Sequence, residues 1–236
     1  MKGGTTLEDL RKHEIPERVT IVKGGGDLPK IKVKTDLSAA EIYLLGAHVT
    51  GFQKNGEPPL LFMSRASQFV VGKAIRGGVP IIFPWFGARE GFPSHGFARV
   101  TEWEWEESSA APDGSLTLQF RLPTAAHPAG SPSENVTFAV TVSDKLTMEL
   151  TVANPSRTEN LSFENCLHTY FSVGDVAEGD GSRHALRLGC GPGRSTGGVH
   201  ADSRRSDGRA SSVRGGTLHP RRCVPARGVP EPPCRR

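Results

Sequence analysis

Apolar and polar residues alternate strictly over three stretches in the middle of the chain. In LTLQFRL (116–122), Leu116, Leu118, Phe120 and Leu122 fall on one side and Thr117, Gln119 and Arg121 on the other. NVTFAVTV (135–142) and LTMELTV (146–152) repeat the pattern. A period of two is the mark of a strand with one buried face and one wet face. The polar break Ser143-Asp144-Lys145 makes the second and third stretches a hairpin, closed at its far end by Asn154-Pro155. Nearer the N-terminus, VTIVK (19–23), IKVKT (31–35) and EIYLL (41–45) are shorter strand candidates separated by Gly, Pro and Asp. Only LEDLRK (7–12) reads as helix, and it is too short to shape the fold. Many short antiparallel strands with no internal repeat predict an all-β domain, a sandwich or a barrel.

The pattern stops at Val176. Residues 1–176 hold 17 Lys and Arg against 20 Asp and Glu, whereas residues 177–236 hold 12 Arg, no Lys and five acids. All 16 aromatic residues precede the break, and Arg, Gly and Pro supply 29 of the 60 positions after it. The chain therefore divides into a β body, 1–176, and an Arg/Gly/Pro-rich tail, 177–236, with too little apolar surface to offset its ordering entropy and expected to be disordered. Three origins compete for the tail. A basic arm for nucleic acid is disfavoured by scattered arginines with no aromatics among them for stacking. A zinc site from Cys190, His200, His219, Cys223 and Cys234 has irregular spacing and no C-x-x-C pair. An out-of-frame reading of GC-rich sequence fits the composition best, because the residues that dominate have GC-rich codons. The net charge of +4 thus belongs to the tail, and no nucleic-acid partner is expected of the body.

No apolar run approaches the length that spans a bilayer, and the N-terminus lacks the apolar stretch of a secretory signal. A soluble cytoplasmic protein is expected, with no membrane partner; its oligomeric state is not indicated. Three of the four cysteines lie in the tail, so the body has no disulfide framework, and Cys166 reads as a buried structural thiol.

The candidate chemistry is concentrated in KAIRGGVPIIFPWFGAREGFPSHGFAR (73–99) and CLHTYFSVGDV (166–176). Arg76 precedes Gly77-Gly78, whose missing side chains let backbone approach a ligand. Arg99 follows His95 by four residues, and two guanidinium forks can hold a phosphate or carboxylate by paired, charge-assisted bonds. Surface pairing with acids is the alternative for each. Phe83, Pro84, Trp85 and Phe86 suit either core packing or a wall for sugar stacking. His95 and His168 are candidate proton carriers, since imidazole titrates near neutrality, although either can equally be a core histidine.

The ordered motifs RGGVPIIFPWFG, HGFAR and LHTYFSVGDV, between about Val19 and Val176, resemble the glucose-6-phosphate 1-epimerase branch of the aldose 1-epimerase superfamily. The resemblance implies a large antiparallel β-sandwich of the galactose mutarotase type, here C-terminally incomplete. It also implies cofactor-free, metal-free interconversion of the α and β anomers of a hexose 6-phosphate by acid/base ring opening. His168 matches the general acid, His95 a histidine that positions the sugar ring, and Arg76 and Arg99 the phosphate clamp. The family's base is a glutamate about 100 residues beyond the second histidine, and an aspartate that holds the sugar hydroxyls lies between. No residue here matches either, so impaired catalysis is expected. The alternative is a non-catalytic β-domain that binds carbohydrate phosphate.

Overall fold

In the computed structural model of the chain, residues 6–124, 135–154 and 161–173 are described with their side chains, and 188–191, 194–201 and 217–218 as backbone. After a four-residue helix, Leu7–Leu10, capped reciprocally by Thr6 and Asp9, the regular elements of the described chain are strands and three short 3-10 turns. Strands β1 (Val19–Lys23), β2 (Pro29–Lys34), β3 (Ser38–Tyr43) and β4 (His48–Lys54) form an antiparallel meander in that order. A short strand β5 (Ile81–Ile82) lies apart. The second sheet then runs through β6 (Glu104–Ala110), β7 (Leu116–Arg121), β8 (Val136–Val142) and β9 (Leu146–Ala153), each antiparallel to the next. Two-residue strands β10 (Leu161–Ser162) and β11 (Cys166–Leu167) follow, and β11 pairs with β5. Strands β12 (Leu188–Gly191) and β13 (Arg194–Ala201) extend the second sheet beyond β9, while β14 (Thr217–Leu218) pairs with β10.

The alternation read from the sequence is the burial pattern of the second sheet. Leu118 and Phe120 of β7, Phe138 and Val140 of β8, and Met148 and Leu150 of β9 all point inward. They share one core with Ile31 and Val33 of β2, Ile42 of β3, and Val49 and Phe52 of β4, so the two antiparallel sheets close as a sandwich. Each such side chain contributes roughly 1.5–3 kcal/mol through burial. Trp103 is fully buried between the sheets, donating its indole N–H to the Ala98 carbonyl at 2.9 Å and meeting Phe138 edge-on at 6.1 Å.

Several boundaries differ from the sequence reading. β3 begins three residues earlier than expected and stops at Tyr43, because Gly46 and Ala47 take positive φ and turn the chain. β4 and β6 are strands that the alternation did not reveal. In β4 both faces are covered near its start, with His48, Val49 and Thr50 all buried, so the pattern is continuous rather than alternating. The helical stretch is one turn of α-helix continued as a 3-10 turn at Arg11–His13.

The tail expected to be disordered falls mostly outside the described residues; β12, β13 and β14 are the parts of it whose backbone is described. The side chains of Cys190, His200, His219, Cys223 and Cys234 also lie outside them. Cys166 is buried in β11. Among the described residues, no helix is long and apolar enough to cross a membrane.

Candidate active site

Three chain segments are laced into an irregular ladder beside β4, joined to it by Val79 N–H to the Val49 carbonyl (2.9 Å) and Leu60 N–H to the Phe52 carbonyl (2.9 Å). The Arg76 carbonyl accepts from Ser64 N–H (3.1 Å), and the Phe62 carbonyl accepts from Gly78 N–H (2.8 Å). Tyr170 N–H donates to the Gly78 carbonyl (2.9 Å), and His168 N–H to that of Pro80 (3.1 Å). Phe62 N–H returns to Tyr170 O (3.0 Å), and β5 and β11 continue the pairing with Ile82 opposite Cys166. Segments 60–64, 76–82 and 166–172 therefore hold one another in register. Local sequence gives no sign of this, because the partners lie far apart along the chain.

A fourth segment joins through Phe83, whose carbonyl accepts from Phe97 N–H at 3.1 Å. Gly96 makes this approach possible: a Cβ there would stand 1.9 Å from the Phe83 carbonyl oxygen. Of the aromatic cluster, Phe83 and Trp85 are buried, whereas Phe86 is 48% exposed beside His95, with ring centroids 4.8 Å apart. The first two are core residues. Phe86 is the member available to a ligand.

His95 sits at φ 63°, held by two bonds to Gly87: its N–H donates to the Gly87 carbonyl (2.7 Å), and its Nδ1 accepts from Gly87 N–H (3.1 Å). A ring nitrogen that accepts carries no proton, so the neutral ring bears its hydrogen on Nε2. Burial, then the charge of Arg99 and then that of His168, pull its pKa below the ordinary value. With Nδ1 accepting, Nε2–H is the donor that the neutral ring presents.

Arg76 and Arg99 line one cavity of about 680 Å³, together with Ser64, Gln68, Lys73 and Tyr170. Arg99 donates from Nη2 to the Ser94 carbonyl (2.7 Å), while its buried Nε has no hydrogen-bond partner among the described residues. Burial lowers the pKa of this guanidinium, with Tyr170 opposing. Among the described residues, neither arginine forms an ion pair. Two guanidiniums in one cavity, with no acid paired to them among the described residues, attract an anion. The half-buried ring of His168 lies against Tyr170, with centroids 5.0 Å apart, and its buried Nδ1 has no partner among the described residues.

The site thus brings Arg76 and Arg99 into one cavity. His168 is placed beside it through Tyr170, and His95 lies close enough to feel the charges of Arg99 and His168. Gly77-Gly78 differs from its sequence reading, since the space its missing side chains leave is filled by protein backbone, not offered to a ligand. Sequence reasoning also missed Lys73, Gln68 and Tyr170 in the cavity wall. It missed Glu164 as well, whose carboxylate accepts from Phe86 N–H (2.7 Å) and anchors the loop before His95. Lys73 and Tyr170 stood within the two motifs, but nothing in their spacing marked them.

The family model for aldose 1-epimerase matches residues 29–188. A protein of Escherichia coli (strain K12) named "putative glucose-6-phosphate 1-epimerase" is 34% identical over 154 residues, 64% of this chain and 49% of its own. The protein of the same name from Salmonella typhimurium is 34% identical over 153 residues, 64% of this chain and 51% of its own. The chain spans about half the length of these curated relatives. The crystal structure of a mutarotase-type protein from Salmonella typhimurium superposes with TM-score 0.60 at 29% identity, covering 70% of this chain and 55% of that one. A galactose mutarotase-like protein from Clostridium acetobutylicum shares the fold at 15% identity, with TM-score 0.50 over 65% of this chain and 53% of its own. With the sandwich, the ordered motifs and the family match over more than half its length, the chain belongs to the aldose 1-epimerase family.

Proposed function

We propose that this chain binds a hexose 6-phosphate and acts on its anomeric centre, with Arg76 and Arg99 holding the phosphate. The observation that carries the reading is the pair of guanidiniums, 23 positions apart in sequence, lining one cavity without a carboxylate partner among the described residues. Glucose 6-phosphate is the substrate that the names of the curated relatives suggest.

In this reading His168 protonates the ring oxygen as the bond between C1 and the ring oxygen breaks and the C1 carbonyl forms, solvent water taking the proton of the anomeric hydroxyl. The Nε2–H of His95 holds a sugar oxygen in place. Mutarotation needs an acid and a base on opposite sides of the bond between C1 and the ring oxygen, their pKa values set apart by environment. The reading assigns an acid, a positioning donor and an anion cradle, and no base among the described residues. We infer that the chain turns over slowly for that reason. The same imbalance supports a second reading, a β-domain that binds carbohydrate phosphate without turnover.

Anomer exchange of glucose 6-phosphate followed by polarimetry, beside calorimetric titration with the same ligand, tests both. Binding with slow exchange that His168→Ala removes supports the first reading. Binding with no exchange above background supports the second. Fast exchange abolished by His168→Ala would overturn the proposed impairment, and absence of binding would overturn the phosphate clamp.

A further inference from the structure

We propose that His48 is a positioning residue for the anion cradle, holding the 76–78 turn through a hydrogen bond from its Nε2 to the Gly77 carbonyl. The proposal rests on the reading of Arg76 and Arg99 as phosphate ligands. His48 opens β4 and is fully buried, with Nε2 2.8 Å from the Gly77 oxygen. A carbonyl can only accept, so Nε2 carries the hydrogen and Nδ1 the lone pair. That Nδ1 is buried and has no partner among the described residues, which leaves the bond to Gly77 as the polar contact that orients the ring.

The turn is held from every side. Arg76 N–H donates to Ser67 Oγ (3.0 Å), Arg76 O accepts from Ser64, Gly78 N–H donates to Phe62 O and Gly78 O accepts from Tyr170. The Gly77 carbonyl is the member of this set satisfied by a side chain of the first sheet, and His48 supplies it. Contact is close throughout: a Cβ on Gly77 would stand 2.4 Å from Phe62 O, and one on Gly78 2.3 Å from Val49 O and 2.9 Å from His48 Nε2. The imidazole therefore sets how deep the turn beneath Arg76 sits against β4.

The chemistry of the position favours imidazole. Burial, with the charge of Arg99 adding to it and the Gly77 bond opposing, lowers the pKa of His48 to about 4, so the ring donates while neutral. A neutral donor fixes the turn without placing a buried cation beside Arg99, where it would compete for the anion or repel the guanidinium. An aliphatic residue fills the space but leaves the Gly77 carbonyl unpaired.

The test is calorimetric titration of the full chain with inorganic phosphate and with glucose 6-phosphate. His48→Gln places an amide N–H near Nε2 and is expected to retain affinity within about twofold, while His48→Leu weakens both ligands on the order of tenfold or more. A residue that only adds stability leaves the Kd of the folded fraction unchanged, so near-ultraviolet circular dichroism on each variant separates the two roles. Folded His48→Leu binding as wild type overturns the proposal, and so does His48→Gln losing as much as His48→Leu. Should the leucine variant fail to fold, His48→Asn replaces it: its amide is one methylene too short for Gly77, and affinity equal to that of His48→Gln overturns the proposal. Wild type that binds neither probe overturns the phosphate reading and this role with it. Binding lost in Arg99→Ala yet unchanged in His48→Leu overturns this role alone.

Discussion

The backbone N–H of His168 donates to the carbonyl of Pro80 at 3.1 Å, and this one bond places the candidate acid beside the turn that carries Arg76. The two residues belong to motifs separated by most of the second sheet. Two steps along the same ladder, Tyr170 packs on the His168 ring and also lines the arginine cavity.

His168→Ala is expected to lower whatever exchange the chain adds above the spontaneous rate by roughly 10²–10⁴-fold, the usual worth of a positioned acid, and so return it to background. Polarimetry on glucose 6-phosphate checks this. Exchange unaffected by the substitution removes His168 from the mechanism.

Arg99→Lys is expected to weaken phosphate binding by about 1.5–3 kcal/mol, tenfold to over a hundredfold, although the charge is kept. A lysine cannot reproduce the planar fork, which binds the Ser94 carbonyl from Nη2. Titration with phosphate at fixed ionic strength measures the change, and near-wild-type affinity would reduce Arg99 to a point charge.

Stability should fall as pH drops through the window between 6.5 and about 4, because His48 takes up a proton near 6.5 in the unfolded chain and only near 4 when folded. The unfolded state binds more protons across that range, so the contribution is fully present above it and declines by up to about 1.4 kcal/mol per pH unit on acidification. Urea unfolding at pH 7, 6 and 5 should show this slope in wild type and a shallower one in His48→Gln. Parallel slopes would remove His48 as the source.

Gly78→Ala should destabilise far more than Gly91→Ala. Both residues have positive φ, 59° and 74°, which costs an alanine about 1–2 kcal/mol. At Gly91 nothing lies within 4 Å of the added Cβ, whereas at Gly78 it would meet the Val49 carbonyl at 2.3 Å. Denaturant midpoints for the two variants give the comparison, and similar values would contradict the tight seat of the turn.

The strands of the second sheet were legible because burial there is one-sided: Leu116, Leu118 and Phe120 alternate with Thr117, Gln119 and Arg121 in sequence as they do in space. β4 escaped notice because His48 and Thr50 are as buried as Val49, which erases the alternation. For the site, residue types and motif order pointed to Arg76, Arg99, His95 and His168. What sequence could not supply was the wall between them. Lys73, Gln68 and Tyr170 reach the cavity through cross-segment hydrogen bonds and turns that leave no periodic trace. His48 is the clearest case, since a lone histidine at a strand start carries no local signal of the carbonyl 29 positions away that it serves.

The lacing of segments 76–82 and 166–172 also sets a timetable. Pro80 leaves the ribosome 88 residues before His168, and at roughly 5–20 residues per second the arginine turn waits on the order of ten seconds for its partner. Pairing so distant in sequence must close a long loop before any contact compensates, which makes it a slow step in folding. During that interval Phe62, whose N–H and carbonyl both belong to the ladder, has only part of its final company. The newborn chain is therefore open to misassociation at the candidate site until its later segment is made.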